Sequence, residues 1–574
     1  MKNASTKDRK AAYNNNRKRS GSPAAKGRGK GRPPVDKDKE MDTEPRAGGM
    51  NDVSWYASNP QLLIDAASLP YSAPVGVKLE TANLKSLFPQ NYGYEAVPGV
   101  CALSVTPTPG ISTGNSSPIN IAARNLYSFV RHANSGHANY EAPDLMMYVL
   151  AMDSIYSTLS HAIRVYGIAR TYSQVNRYYP EALIEAMEMN PDDVLNNLAK
   201  LRYAINSMIV KAGSLCVPNS LKFINRHYWM FSSVYCDVPD AKSQAFLYVP
   251  AGHYVYQPVK YKTGGCLEYA GAGRGYTVDQ LIQRLDTMIS AVIEDEDMNI
   301  MSGDILKAFG SDGVFKLAGI DENYTILPEY NPEVLTQFNN AVAVGNLIDD
   351  SDVEVGEYDF RSCDIYQLPN KAIIYDPEFR CSSPEGVHEF VLNMPMPTPT
   401  PADTMVATRL TNISSSATAQ HNVVEKGDDV WWLHKLSHCG SEVVQYMRIY
   451  SFANTYEGTG EWKARPVTVT RGLVYDHDDH LMTYMSCPND GDCFLNWIGM
   501  ATTISKFSWH PQIALSVMND DWEKAMQMDT YIRTGYMGDI NTYTLLSEGT
   551  LGRMHETALL SMLSVPQMGA VNKA

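Results

Sequence analysis

The charge of this chain is divided along its length, and that division limits what can fold. Residues 1–35 carry Lys2, Lys7, Arg9, Lys10, Arg17, Lys18, Arg19, Lys26, Arg28, Lys30 and Arg32 against a single acid, Asp8, a net charge of +10. The whole chain carries −15, so the residues after Val35 hold 37 bases against 62 acids, a net −25. Tyr13 is the one aromatic residue of the basic stretch; Asn, Ser, Gly, Pro and Ala fill the gaps between its charges. Low hydrophobicity with high net charge leaves conformational entropy unopposed, so the stretch is expected to be a disordered arm. At ~3.3 Å per residue it reaches roughly 115 Å when extended. The runs Arg17-Lys18-Arg19 and Lys26-Gly27-Arg28-Gly29-Lys30-Gly31-Arg32 suit phosphate contacts, which are salt-sensitive and carry no base specificity. A nuclear import signal or a solubilising tail is the competing reading. No apolar h-region follows the charges, and Gly and Pro prevent the amphipathic helix of a presequence. Charges alternate in sign from Asp36 to Glu40, which reads as a solvated linker ending at Gly48-Gly49.

The remaining residues, roughly 525, are 44% hydrophobic over the whole chain and long for one core, so two or more substructures are expected. No run of eighteen apolar residues occurs, so no stable membrane insertion is expected. The nine cysteines are scattered, odd in number and without a CxxC pair, which argues for reduced thiols rather than a disulfide framework or zinc site. Tyr (35) and Met (27) are abundant while charged residues are only 19%. Extensive subunit contact accounts for that balance, because interfaces favour Tyr and Met and shed charge.

Along the body, Asn59-Pro60 reads as a cap and first helical position, with Leu62, Leu63 and Ala66 as a short apolar face and Pro70 as the stop. Trp55 and Tyr56 read as anchors for the arm. Ala102 to Pro118 reads as a surface loop or extended interface segment, and Ile119 to Val130 as a helix. From Pro143 to Gly213 helices dominate: Leu145, Val149, Met152, Ile155, Tyr156, Leu159, Ile163 and Tyr166 keep helical spacing along one stripe. Further helices start at Pro180 and at Asn190-Pro191, the second with acids in its first turn and Gly213 at its end. Strands are expected on either side of Ala251-Gly252, and a helix over Thr277 to Ile293 with a capping box from Thr277 to Gln280. Asn331-Pro332 starts a helix stopped by Gly345. Residues 349 to 430 read as loop-rich, with a stiff proline stretch from Met394 to Pro401. Strands return at 442 to 450 and 465 to 475, and helices at 493 to 505, 521 to 528 and 557 to 563.

One block carries a resemblance. Trp55-Tyr56, Asn59-Pro60-Gln61-Leu62-Leu63, Asp65-Ala66-Ala67-Ser68 and Pro70-Tyr71-Ser72, following a basic arm, resemble the start of the ordered region in picobirnavirus capsid proteins. The match covers about twenty-five residues; elsewhere the likeness is one of length and layout. The resemblance implies a capsid protein of a double-stranded RNA virus. Dimers of it would build an icosahedral shell in the host cytoplasm, with basic arms inside on the packaged RNA. It also implies that some members lose an N-terminal peptide during maturation. The fold class expected is mainly α with a mixed α/β or loop-rich insertion. Its parts are a disordered basic arm and linker (1–50), a helical shell region in two parts (51–236 and 481–574), and a projecting mixed region (237–480).

Enzyme readings are weaker. Gly271, Gly273 and Gly275 form a tight loop rather than a dinucleotide fingerprint, and no P-loop occurs. Asp476-His477-Asp478-Asp479-His480 lacks a third element to complete a metal site, so no metal or other cofactor is expected. Asp490-Gly491-Asp492-Cys493 resembles the nucleophile motif of ovarian-tumour-type cysteine proteases, with His510 or His555 as candidate base. Neither histidine is followed by the aromatic residue of that family, and Asn489 or Asp490 capping a helix is the preferred account. No catalytic residue is therefore assigned. The alternatives are a cysteine hydrolase with Cys493 as nucleophile and a non-assembling RNA-binding protein.

Overall fold

The structure is a computed structural model. It describes side chains over residues 59–69, 99–134, 139–171, 179–240, 243–258, 265–349, 361–368, 371–379, 390–413, 435–450, 507–512 and 541–566, and backbone alone in several further strands. Two compact units divide the chain, residues 1–71 and 72–574.

In the first unit, helix α1 (Pro60–Ala67) begins where the sequence places it. Asn59 is the cap, its side chain accepting from the Gln61 amide at 3.0 Å, with Pro60 at the first position. None of its residues is buried; Leu62, Leu63 and Ile64 all face solvent. Trp55 and Tyr56 lie outside the described residues.

The second unit is organised around α3 (Ala142–Ala169), about 42 Å long. A capping box of Glu141 and Asp144 and Pro143 in the first turn start it. Every residue from Leu145 to Ile168 is buried, so the helix is enclosed on all sides rather than along the one expected stripe. Away from that stripe it carries small and hydroxyl residues that let neighbours approach and that bond to them. Ser154 Oγ accepts from the Tyr254 amide at 2.8 Å, and Ser160 Oγ donates to the Tyr228 carbonyl at 2.6 Å. Around α3 pack α2 (Pro118–Ala133), α4 (Tyr179–Ala186), α6 (Leu198–Ala212), α7 (Lys222–Met230), α8 (Val278–Ile293) and α9 (Glu296–Phe309). The short α5 (Pro191–Asn196), capped by Asn190, leads into α6. The Thr277–Gln280 capping box of α8 forms as expected. Helices α7 and α9 have no counterpart in the sequence reading.

A six-stranded sheet lies against this helical layer. Its order is 465–469, 442–451, 98–107, 245–250, 235–236, 329–330. The strand Pro98–Pro107 pairs parallel with Ala245–Pro250 (Val100 opposite Ala245) and antiparallel with Glu442–Ser451 (Leu103 opposite Met447). The parallel pair needs a long crossover, and helices α2 to α7 are that crossover. Alternate residues face opposite layers: Val100 and Ala102 join the helical core, while Cys101, Leu103 and Val105 pack with Phe246, Tyr248, Met447 and Ile449 against α10 (Pro332–Asn339). Ala102 to Pro107 is therefore a buried central strand and not a surface loop. Its burial on both faces removes the polar alternation by which a strand is read.

Strands also occupy the segment expected to be loops. Ile365–Gln367 and Ile373–Ile374 complete a four-stranded sheet with Gly252–Gln257 and Cys266–Gly271. Glu378–Cys381 joins Trp432–Lys435, Glu389–Met394 pairs with Thr542–Ser547, and α11 (Pro401–Ala407) follows the proline stretch. The fold is thus mixed α/β and not mainly α: twelve helices and twenty-three strands lie among the described residues. Many of those strands have two to four residues, too short to show a period. The last helix, α12 (Glu548–Met562), packs back on α2 and α7, so residues from both ends of the second unit share one core. The helices expected at 493–505 and 521–528 lie outside the described residues.

Gly167 of α3 sits under the 320s segment: a Cβ there would lie 2.7 Å from Ile326 Cγ1. Gly167→Val should lower stability by about 1–3 kcal/mol through overpacking, read as a reduced midpoint in denaturant unfolding.

Candidate functional site

The eleven basic side chains of the arm, Lys2 to Arg32, lie outside the described residues, as do Cys493 and His477 to His480. Both histidines considered as partners for Cys493 are interior. His510 Nδ1 faces the Pro511 carbonyl at 2.6 Å. His555 Nε2 lies 3.2 Å from the Thr408 carbonyl, and burial lowers its pKa to about 4. Burial also pushes the Cys363 and Cys439 thiols up to about 12, which leaves them unreactive. Among the described residues no group of three potential metal ligands gathers, and no helix is long and apolar enough to cross a membrane.

The principal ionic constellation is one the sequence reading missed. Asp153 projects from α3, Arg226 and His227 from α7, and Ser441 and Glu442 from the start of the 442–451 strand. His227 Nδ1 lies 2.7 and 2.9 Å from the two Asp153 carboxylate oxygens, and Nε2 lies 3.1 Å from the Ser441 carbonyl. Arg226 grips both oxygens of Glu442, the Nη2 contact at 3.3 Å, and Ser441 Oγ donates to Glu442 at 2.7 Å. His227 and Glu442 are wholly buried and Asp153 is 4% exposed. The charges come from three segments up to 289 residues apart, so no spacing rule joins them. The one local signal is Asp153, an acid in mid-helix among apolar residues.

Electrostatics follow from the geometry. Burial opposes the charged imidazolium of His227, but the Asp153 and Glu442 carboxylates outweigh it and raise the pKa from 6.5 to about 9. Burial would likewise raise Glu442; Arg226 and His227 overcome this and hold it well below the usual carboxylate range. Burial pushes Asp153 up while His227 pulls it down. Both ring nitrogens of His227 face acceptors, so the shared proton belongs to the imidazole. A serine, a histidine and an acid meet here, yet this is no hydrolase triad. The histidine meets the Ser441 carbonyl, the Ser441 hydroxyl donates to Glu442, and the group is shut from solvent. Its capacity is mechanical: it locks the central helix, α7 and the sheet together.

The other strong polar contacts are also internal. Arg448 pairs with Glu188, which itself adopts φ 64°, and Arg361 binds Asp364 at 2.8 Å and the Tyr269 carbonyl at 2.9 Å. Large apolar side chains, by contrast, stand outside: Tyr203, Val210, Leu327, Tyr543 and Leu545 are each more than 60% exposed.

A solved structure titled as the X-ray crystallographic structure of the picobirnavirus capsid shares this architecture, with a TM-score of 0.72 at 22% identity, covering 90% of this chain and 98% of that one. The chain therefore shares that capsid's fold. The family model described as picobirnavirus capsid protein matches residues 55–520. The capsid protein precursor of Human picobirnavirus (strain Human/Thailand/Hy005102/-) is 33% identical over 556 residues, 93% of this chain and 94% of the relative. This chain belongs to the picobirnavirus capsid protein family, and a capsid protein's place is the virion.

The raised pKa of His227 gives stability that is complete below 6.5 and lost as pH rises through about 9. The lowered pKa of Glu442 gives stability present above its ordinary 4.5 and lost as pH falls further. Unfolding free energy against pH should accordingly decline on the alkaline side between 6.5 and 9. His227→Gln should remove that decline and cost about 3–5 kcal/mol at neutral pH, because it leaves Asp153 buried without its partner.

Proposed function

We propose that this protein self-assembles from dimers into an icosahedral shell around a double-stranded RNA genome, with its basic N-terminal arm on the packaged RNA. The observation that carries this reading is the charge polarity of +10 against −25 in a chain aligned over nearly the full length of a capsid protein. An anionic body cannot hold RNA by its own field, so neutralisation falls to Lys2, Lys7, Arg9, Lys10, Arg17, Lys18, Arg19, Lys26, Arg28, Lys30 and Arg32. The body forms the wall. Residues 51–236 and 481–574 supply the shell, and the packing of α12 on α2 and α7 supports that grouping. A projecting part is drawn from residues 237–480, whose many short strands suit a protrusion. The partners are other copies of the chain and the genome; assembly takes place in the host cytoplasm.

Expressed alone, the protein should form uniform closed particles in electron micrographs; discrete monomers under native conditions would rule the reading out. Deletion of residues 1–35 should leave particles but strip them of co-purified RNA. The free arm's RNA affinity should fall about 10³–10⁵-fold between 50 and 200 mM salt, the dependence of 6–10 phosphate contacts.

A further inference from the structure

The outward face of α5 and α6 carries the two most exposed large apolar side chains of the described residues, Tyr203 at 79% and Val210 at 75%. They stand two helical turns apart and so lie above one another on one face. Ala199 continues the line on α6, a stripe about 16 Å long, and Leu195, exposed on α5, precedes it across the break at Asn197. The helix cannot turn to hide them: Leu201, Ala204, Ile205, Met208 and Ile209 on its other side are locked in the core. Nor can the face give way between them, because Asn206 exchanges two hydrogen bonds with the Ile320 backbone, at 2.8 and 3.0 Å. A rigid apolar ridge in water is an unfilled contact.

Charge identifies the occupant. Two bodies of −25 repel each other, so copies can meet only where the local field is near zero. This face is such a place. Lys200 is paired with Asp279 and Lys211 with Asp286 at 2.5 Å, both pairs exposed at the edge where α6 meets α8; Arg202 is the one further charge of α6, and Asp192 and Asp193 are the charges of α5. A rim bearing both signs around an apolar centre is self-complementary under a two-fold rotation, a lysine of one copy meeting an aspartate of the other. RNA is disfavoured, since both lysines are already held by carboxylates.

We infer that the ridge of Leu195, Ala199, Tyr203 and Val210, with its Lys200–Asp279 and Lys211–Asp286 rim, is a contact surface for a second copy of this chain. It deepens the assembly reading, on which it rests for the premise that copies associate. The test uses full-length protein. Tyr203→Ser with Val210→Ser removes only exposed side chains, so the melting curve should be unchanged while association weakens by at least about 30-fold in sedimentation. Lys211→Asp should weaken association, and Lys211→Asp with Asp286→Lys should restore it. Tyr203 should react with a tyrosine-directed label in diluted monomer and be protected in the associated form. Unimpaired association of a folded Tyr203→Ser, Val210→Ser variant overturns the assignment. Protection of Tyr203 at monomer dilution also overturns it, showing a cover from within the same chain. If that variant misfolds, the charge exchange decides alone, and failure to restore counts against the surface. Wild-type protein that never associates defeats the assembly reading itself; wild type that assembles while the variants do likewise defeats only this surface.

Discussion

Everything in the second unit depends on α3 being surrounded. A helix with one apolar stripe needs one neighbour; a helix buried on every side needs a full ring of them, supplied here by six other helices and a sheet. The requirement explains its composition. Bulky residues such as Met147, Tyr148 and Leu159 fill space, while Ala151, Ser154, Ser157, Ser160 and Gly167 thin the helix where other backbones approach. The few charged groups inside are then obligations rather than ornaments. Arg164, wholly buried, is held by the carbonyls of Ser233 and Tyr248, and Asp153 by His227. Burial of a lone charge is costly, so each must find its partner for the ring to close.

The Asp153–His227–Glu442–Arg226 cluster therefore acts as a register check between three segments distant in sequence. Hydrophobic contact is tolerant of sliding; an ion pair with both imidazole nitrogens engaged is not. The same division of roles appears on the outside. Inside, charges are held by carboxylates or by backbone carbonyls, while large apolar groups such as Tyr203 and Val210 stand exposed.

Sequence alone made local features legible wherever backbone chemistry is strong. Asn59-Pro60, Asn190-Pro191, the Thr277 capping box and the strands flanking Ala251 were all readable, because caps, prolines and turns act within a few residues. The resemblance over residues 55–72 gave the family. What stayed hidden was whatever depends on tertiary context. The strand Pro98–Pro107 looks like a loop since both its faces are covered. The two- and three-residue strands between 346 and 381 exist only because neighbours complete their hydrogen bonds. Strand content was accordingly underestimated. The ionic cluster left only Asp153 as a sign, for its three segments are not neighbours until the chain has folded.

The parallel pairing of Pro98–Pro107 with Ala245–Pro250, closed on its other edge by Glu442–Ser451, also sets a timetable. The first of these strands leaves the ribosome more than three hundred residues before the last. At synthesis rates of about 5–20 residues per second the gap is roughly 20–70 s. During that interval the strand lacks one flank and Asp153 awaits Glu442's side of the clamp, while the cationic leader has already emerged. A polypeptide wired in this manner cannot finish its central sheet until residues 442–451 have been translated, so topology alone makes completion of this layer a late event.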